Sequence, residues 1–298
     1  MRLPVSVLAS LLLATLFLQA CATVQPAQTQ FQETDDLGVV VADALEMSER
    51  YGKEEVLVVF DIDNTLLAME QDLGSDQWYD WQKELQAEDP CSGRLVGNRL
   101  AVQGALYYAS AMRLTQPDAA DLVSQLQEDG LKVIALTSRG ADFRLQTFRE
   151  LRRNGISLWP NALPPQQGYP ETFIPQGGSR PALYEDGVFL TAGQHKGDML
   201  KALLAKTGTP DPAVVVFADD KEKNLRDVLE TYAGSSTAIH AWRYNREDPV
   251  VAAFDPVKAG AEWDALRPAL QTIQQLLGPD NFDFPPYVAP EGCPAIGN

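Results

Sequence analysis

Short apolar runs alternate with amphipathic segments along most of this chain. Four runs with strand preference each end in polar residues, at 56–60, 132–136, 213–217 and 237–242. Apolar side chains recur at the spacing of a helix that buries one face at 117–128, 144–154, 196–206 and 223–232. Alternating strands and helices predict an α/β fold, with a Rossmann-like parallel sheet flanked by helices. In such sheets, ligands bind beyond the carboxyl ends of the strands.

Two insertions interrupt this alternation. The first, at about 67–116, has the pattern of a small, mainly helical unit. The second, at about 157–193, is rich in Pro and Gly, and Asp186-Gly187 at its centre predicts a hairpin turn. One more helix is predicted at 260–277, followed by a Pro-rich tail.

The first 20 residues differ in composition from the rest of the chain. Arg2 is their only charged residue, and 7–18 is an apolar run of the length of a signal-peptide core. The sequence Leu18-Gln19-Ala20-Cys21 resembles the cleavage site of bacterial lipoproteins, in which the cysteine becomes the lipid-modified first residue. Ala22 resembles lipoproteins sorted outward. The resemblance implies a lipid-anchored, periplasm-facing protein of the bacterial cell envelope, at the outer membrane; a plain secretory peptide and a cytosolic chain are the alternatives.

The residues after the signal peptide divide into a tether and a folded domain. Residues 21–35 are polar and Gln-rich, which predicts a flexible tether. The chain as a whole is 45% hydrophobic and 22% charged, a balance typical of a globular protein with one sizeable core. We therefore expect the folded domain over 36–298.

The chain is strongly acidic. Its formal net charge is −17, and removal of residues 1–20, which contain one Arg and no acidic residue, makes it −18. Because such a surface repels polyanions, binding of nucleic-acid polymers is not expected. An anionic substrate would need a local cluster of cations and backbone donors to overcome the surrounding potential.

Two cysteines remain once Cys21 is assigned to the lipid anchor. Cys91 and Cys293 form an even pair, which in an oxidising compartment favours a disulfide. Two unpaired thiols are an equal alternative, because sequence separation does not show whether their Cα atoms lie within disulfide reach.

A pair of carboxylates directly follows the first predicted strand. The sequence there is Asp61-Ile62-Asp63-Asn64-Thr65-Leu66. Residues two apart on an extended chain share a face, so Asp61 and Asp63 point the same way. Two like charges this close are unfavourable unless a cation or a shared proton relieves them. One carboxylate of such a pair is able to attack phosphorus, while the other transfers protons.

Further polar groups follow later strand ends or helix starts. Thr137 and Ser138 come after the second predicted strand, and Lys196 begins a predicted helix whose terminal amides add positive potential. Asp219 and Asp220 follow the third strand. Each of these features alone is typical of a helix cap, a solvated lysine or a loop. Their joint position at one edge of the predicted sheet indicates a site.

In this order, the motifs over about 56–245 resemble those of the haloacid dehalogenase (HAD) superfamily. The resemblance implies that Asp61 is the nucleophile of a phosphatase and that Asp63 is its general acid and base. Dehalogenases of the superfamily lack the second Asp, so Asp63 favours phosphoryl transfer. The implied catalytic set is completed by Thr137 and Lys196, and the phosphoryl-binding residues would be Asn64, Thr137, Ser138 and Lys196.

The resemblance also implies a magnesium cofactor. Mg²⁺ would be held by Asp61, the backbone carbonyl of Asp63, Asp219 and Asp220, with Asp220 favoured as a direct ligand and Asn224 as a supporting contact. The expected substrate is a small phosphomonoester. The layout is similar to an uncharacterised HAD-like lipoprotein family and, more loosely, to lipoprotein acid phosphatases, and neither resemblance names a substrate.

The first insertion occupies the position of the HAD cap, which closes over the substrate. Its aromatic residues Trp78, Tyr79 and Trp81 would suit stacking on a nucleoside, but we favour a small core of the insertion itself. Arg139 and Arg144 are available to hold an anion, although solvated positions are favoured. His195, beside Lys196, is interpreted as a structural neighbour.

Two other functions share these residues. A non-enzymatic binding or scaffolding protein of the envelope usually lacks Asp61, Asp63 or Lys196, and all three are present here. A phosphotransferase passes the phosphoryl group from the aspartate to an alcohol, and it differs from a phosphatase only in the acceptor. A phosphatase is the favoured interpretation.

Overall fold

The computed structural model describes residues 26–277 and 285–293. The predicted signal peptide over 1–20 and the predicted lipid site at Cys21 lie outside these ranges. Within them, none of the helices combines the length and the apolar character that a membrane span requires.

The described chain forms strands that follow one another between helices. The strands are β1 (Gln30–Thr34), β2 (Val56–Phe60), β3 (Leu67–Met69), β4 (Met112–Leu114), β5 (Lys132–Thr137), β6 (Leu183–Glu185), β7 (Val188–Leu190), β8 (Val214–Asp219) and β9 (Ala238–Tyr244). The helices are α1 (Leu37–Tyr51), α2 (Asp76–Glu88), α3 (Arg99–Ala109), α4 (Ala119–Glu128), α5 (Arg144–Arg153), α6 (Lys196–Thr207), α7 (Glu222–Thr231), α8 (Asp248–Ala252) and α9 (Pro256–Leu277).

A seven-stranded sheet in the order β1-β9-β8-β2-β5-β7-β6 forms the centre of the fold. Neighbouring strands are parallel except for β6, which runs antiparallel to β7. In β2, Val58 packs on one face of the sheet with α1 and α4, and Val59 packs on the other face with α6 and α7. This burial of both faces explains why the central strands read as continuous apolar runs. The predicted α/β fold with a Rossmann-like sheet is confirmed.

The structure corrects two predicted boundaries. The tether predicted over 21–35 is wrong from residue 30 onward, because β1 joins the edge of the sheet and pairs with β9. The second insertion, predicted over 157–193, contains the expected hairpin, but its strands β6 and β7 belong to the central sheet, so the inserted segment ends before Leu183. Helix α1, which follows β1, was not predicted.

The first insertion, called the insert from here on (residues 67–116), is mainly helical, as predicted. Strands β3 and β4 pair antiparallel at its base and enclose α2 and α3. Trp78 is 1% exposed and packs in a cluster that Tyr79 and Trp81 join at its margin. The interpretation of these aromatic residues as a packing core is confirmed. The core is not the insert's own, however, because α9 contributes to the same cluster.

A disulfide fastens the insert to the C-terminal tail. Cys91, in the loop between α2 and α3, is bonded to Cys293, with their Cα atoms 5.3 Å apart. The Tyr287 hydroxyl donates a hydrogen bond to the Pro90 carbonyl at 2.8 Å beside this bridge. Of the two alternatives left open by the sequence, the structure therefore contains the bridged one.

Candidate active site

The carboxyl ends of three neighbouring strands bring the predicted site residues together. Phe60, the last residue of β2, lies beside Ala135 of β5 and Ala218 of β8. Asp61 therefore emerges at the same sheet edge as Thr137, which ends β5, and Asp219, which ends β8. The backbone N–H of Asp61 donates to the carbonyl of Ala218 at 2.9 Å, which fixes its position in register with β8.

Lys196 reaches this edge from the first residue of α6. It is 1% exposed, and its Nζ lies 2.8 Å from Asp61 Oδ1 and 2.6 Å from Asp219 Oδ2. Gly197 allows this approach, since a Cβ there would lie 2.3 Å from Thr231 Oγ1 of α7. His195 caps α6, accepting from the backbone N–H of Asp198 at 3.4 Å. Its interpretation as a structural neighbour fits this position.

Burial dominates the electrostatics of Asp61, which is 5% exposed. Burial raises the pKa of Asp61, Lys196 lowers it, and the charges of Asp219 and Asp63 raise it again, to about 7. Burial alone would lower the pKa of Lys196, but Asp219 and Asp61 outweigh it and raise the pKa overall. Two buried carboxylates, those of Asp61 and Asp219, thus share the single ammonium group of Lys196.

The surplus carboxylates suit a divalent cation. Single oxygens of Asp61, Asp219 and Asp220 all lie within 4.8 Å of one another. Asp220 Oδ1 is buried and has no hydrogen-bond partner among the described residues, and burial followed by the charge of Asp219 raises the pKa of Asp220 well above its usual range. Carboxylate oxygens are the ligands that Mg²⁺ prefers. The donor set of this structure therefore fits the predicted magnesium.

Asp219 and Asp220 differ in how far their oxygens are already used. Asp219 is fully buried and accepts hydrogen bonds from Lys196 Nζ at 2.6 Å, the Lys221 N–H at 2.9 Å and Asn224 Nδ2 at 2.9 Å. Asp220 keeps a free buried oxygen. Asp220 therefore has an oxygen available for a cation, whereas the Asn224 side chain contacts Asp219.

Asp63 is held by Arg139, a residue for which the sequence favoured a solvated position. That prediction is wrong, because Arg139 is only 6% exposed. Its Nε donates to Asp63 Oδ2 at 2.9 Å and its Nη2 donates to Asp63 Oδ1 at 2.8 Å. A third donor, Nη1, reaches Thr147 Oγ1 at 2.8 Å. Arg144, in contrast, forms an ion pair with Glu185 and its side chain is 45% exposed.

The insert contributes a further hydrogen bond to Asp63. Tyr107 of α3 donates its hydroxyl to Asp63 Oδ1 at 3.1 Å, and its ring centroid lies 4.7 Å from the Arg139 guanidinium carbon. Burial raises the pKa of Asp63, but the charge and hydrogen bonds of Arg139 and the hydrogen bond of Tyr107 outweigh it and lower the pKa overall. The resting site therefore favours the charged form of Asp63.

Sequence comparison places the chain in a family. Residues 31–274 match the family described as protein of unknown function (DUF2608). The chain belongs to this family. A Chlamydia pneumoniae protein, provisionally named as an outer membrane protein, is 24% identical over 217 residues, which cover 70% of this chain and 74% of that relative. The range matched to DUF2608 contains every site residue described above.

The remaining predicted residues of this DUF2608 protein lie around the same edge. Thr137 is buried, and its Oγ1 accepts from the Arg139 N–H at 3.2 Å. Asn64 is buried in the turn after Asp63 with φ 56°, a left-handed conformation that asparagine tolerates better than most residues. Ser138 is exposed.

Sequence reasoning missed most of the insert's contribution to the site. Lys221 Nζ lies 2.7 Å from Asp76 Oδ2 and 2.6 Å from Asp80 Oδ2, and both acids belong to α2 of the insert. Tyr107 gave no signal, because its position in an amphipathic helix does not show which residue it faces. Arg139 did offer a sequence signal for a position at the site. It lies two residues after Thr137 at a strand end, and alternate residues of a strand share a face.

Proposed function

We propose that this chain is a magnesium-dependent phosphatase of the HAD superfamily, which hydrolyses a phosphomonoester through a phosphoaspartyl intermediate. One observation carries the proposal: the buried carboxylate of Asp61 contacts Lys196 at 2.8 Å and lies among the oxygens of Asp219 and Asp220. Structural cores rarely cluster three carboxylates beside a buried lysine, whereas phosphoryl transfer requires positioned charges around the transferring oxygens. The order of the motifs supports the same proposal.

In the first step, a carboxylate oxygen of Asp61 attacks the substrate phosphorus. A bond forms between that oxygen and phosphorus, the ester P–O bond breaks, and the leaving alcohol oxygen takes up a proton that Asp63 relays from solvent. Lys196 offsets negative charge on Asp61 and on the phosphoryl oxygens. The low pKa of Asp63 predicts faster displacement of weakly basic leaving groups in this step.

In the second step, water attacks the phosphoaspartyl group. Asp63 accepts a proton from that water, and the acyl phosphate bond breaks. The Asp61 carboxylate is regenerated and inorganic phosphate leaves. A carboxylate kept charged by Arg139 suits this role as a base. Splitting hydrolysis into two displacements lowers the barrier that each step must cross.

Mg²⁺ would be held by Asp61, Asp219 and Asp220. When bound, it supplies positive charge that neutralises the transferring phosphoryl oxygens. Asn224 and Lys196 keep Asp219 oriented beside this position, through the hydrogen bonds that they donate to its carboxylate.

We expect the purified protein to release phosphate from members of a broad panel of phosphomonoesters only when Mg²⁺ is present. Chelation should lower the rate at least about 100-fold, because the buried carboxylates then lose their countercharge, and added Mg²⁺ should restore it. Colorimetric phosphate release measures this. Full activity in chelator would remove the metal from the proposal, and no release from any ester would favour the binding-protein alternative.

The same assay separates a phosphatase from a phosphotransferase. With increasing concentrations of an added alcohol, a phosphatase keeps releasing one phosphate for each ester consumed. A phosphotransferase forms a new ester instead, which ³¹P NMR detects. Loss of free phosphate with stoichiometric formation of the new ester would favour the transferase alternative.

We further propose that the chain is anchored in the bacterial envelope through lipid on Cys21. The apolar run at 7–18, the cleavage-site pattern before Cys21 and the name of the Chlamydia pneumoniae relative support this location. A disulfide between Cys91 and Cys293 agrees with an oxidising compartment.

The anchor predicts that radiolabelled palmitate is incorporated by wild type and not by a Cys21→Ala variant expressed in a bacterium. A Cys91→Ser/Cys293→Ser variant, which keeps Cys21, serves as the matched control and should take up label as wild type does. Label on the Cys21→Ala protein would contradict lipidation at this residue.

A further inference from the structure

We propose that Tyr107 of the insert is a positioning residue for the second chemical step, and that it acts by fixing the Asp63 carboxylate. The inference rests on the proposed function and deepens it. It rests on one observation: the Tyr107 hydroxyl, which belongs to the insert and not to the sheet, donates a hydrogen bond to the Asp63 carboxylate.

The carboxylate of Asp63 is held from two sides. Arg139 binds both of its oxygens, at 2.9 and 2.8 Å, and the Tyr107 hydroxyl binds Oδ1 at 3.1 Å. A guanidinium alone fixes the plane of a carboxylate that it binds through two donors. The hydroxyl adds a third donor from a separate element, so the carboxylate cannot turn about its own axis without losing hydrogen bonds.

Tyr107 also fixes Arg139. The guanidinium carbon lies 4.7 Å from the centroid of the Tyr107 ring, and the far donor Nη1 is held by Thr147 of α5. The ring also meets Phe143 in an edge-on contact with centroids 5.6 Å apart. Stacking of this kind restricts the arginine to one orientation. Tyr107 therefore sets the position of Asp63 both directly and through Arg139.

The end of α3 is itself tied to the core of the fold. Arg149 of α5 donates from Nη2 to the backbone carbonyls of Tyr107 and Ser110, each at 2.8 Å. Arg149 is in turn bound by Glu150, whose side chain is 1% exposed. Because these bonds fix the backbone at Tyr107, its hydroxyl is preorganised and not recruited from a mobile segment.

These contacts suit the second step more than the first. A carboxylate that accepts three hydrogen bonds from fixed donors is ready to receive a proton from water in a defined direction. Loss of one donor would leave Asp63 present but less well oriented. With an ester of a weakly basic alcohol, whose leaving oxygen needs little protonation, the phosphoaspartyl intermediate would then form at its usual rate and hydrolyse more slowly.

The test is a Tyr107→Phe variant, which removes only the hydroxyl. We expect its phosphoenzyme to decay about 10-fold more slowly than that of wild type, as the loss of a hydrogen bond to a charged group implies. Rapid acid quench with a ³²P-labelled ester measures formation and decay separately. Where decay limits turnover, kcat and KM should fall together, leaving kcat/KM unchanged, which general structural damage would not produce.

Tyr108→Phe is the matched control. Tyr108 is the next residue of α3 and is 63% exposed, so the same chemical change occurs away from Asp63. Its phosphoenzyme should decay at the wild-type rate. In an Asp63→Asn background, Tyr107→Phe should have no further effect on decay, because a residue that acts through Asp63 has nothing left to position.

The outcomes separate this inference from the proposed function. Turnover by wild type, with equal decay rates in wild type and Tyr107→Phe, would overturn the role of Tyr107 and leave the phosphatase standing. A decay effect of Tyr107→Phe that persists in Asp63→Asn would show that Tyr107 does not act through Asp63. The absence of both turnover and phosphoenzyme in wild type would overturn the proposed function and this inference with it.

Discussion

The Asp61→Asn variant should lose turnover by at least about 10⁴-fold, because an amide oxygen is a far weaker nucleophile than a carboxylate. Asparagine has nearly the same shape, and Lys196 would keep its 2.6 Å contact with Asp219, so the fold should survive the change. The variant should also fail to capture ³²P from a labelled ester after acid quench. Phosphate release and covalent label are measured on the same preparation.

Asp142→Asn gives the matched control for this prediction, since it makes the same chemical change at an exposed residue. It should keep the wild-type rate and the covalent label. If Asp61→Asn released phosphate at a comparable rate, the nucleophile would have to be another group. Release by wild type without any covalent label would instead point to direct attack of water on the ester.

The second large effect concerns stability. Lys196→Met should lower the free energy of unfolding by about 3–5 kcal/mol, the usual cost of removing one partner from a buried ion pair. Lys196 is 1% exposed and contacts two buried carboxylates, while methionine keeps an apolar stem above the ring of Phe217. Urea unfolding in the presence of chelator measures the change without a cation to compensate for it.

Lys223→Met is the control for this experiment. The side chain of Lys223 is 77% exposed, and its ion pair with Asp227 lies on the surface of α7. Exposed pairs contribute little, so this variant should change stability by less than about 1 kcal/mol. If Lys196→Met and Lys223→Met lowered the free energy of unfolding equally, the ion pairs of Lys196 with Asp61 and Asp219 would not stabilise the fold.

The local part of the site could be predicted from the sequence. Asp61, Asp63 and Asp219 each follow an apolar strand, and parallel strands that neighbour one another must bring such residues to one edge. The central strands are recognisable because both of their faces are buried. The fold class and the meeting of these acids depend only on short stretches of chain, which is why pattern alone was enough.

The parts that depend on distant partners could not be predicted. The solvated position expected for Arg139 is wrong because its sequence neighbours do not reveal that Tyr107 of the insert lies against it. The residues of strand β1 are mostly polar, which predicts a tether. The partner of β1 is β9, where His240 pairs with Gln30 from 210 residues later in the chain. An edge strand needs little apolar surface of its own. Its assignment therefore requires knowledge of the strand beside it.

The core of the insert shows the same limit. The interpretation of the aromatic residues of α2 as packing residues is correct, but nothing in their spacing places α9 against them. Trp81 meets Phe254 with ring centroids 5.8 Å apart, and Lys258 of α9 pairs with Asp72 of the insert at 2.9 Å. The core of the insert is therefore built from two parts of the chain that are far apart in sequence.

The bridge between Cys91 and Cys293 makes the maturation of this protein depend on where it is made. The two cysteines are 202 positions apart, so their bond forms only after the ribosome has synthesised the chain as far as Cys293. In a reducing compartment such thiols remain unbonded, whereas in an oxidising compartment they form a disulfide. Protein produced in a reducing cytosol would carry an insert that only noncovalent contacts hold against α9. Material for kinetic work should therefore come from an oxidising compartment.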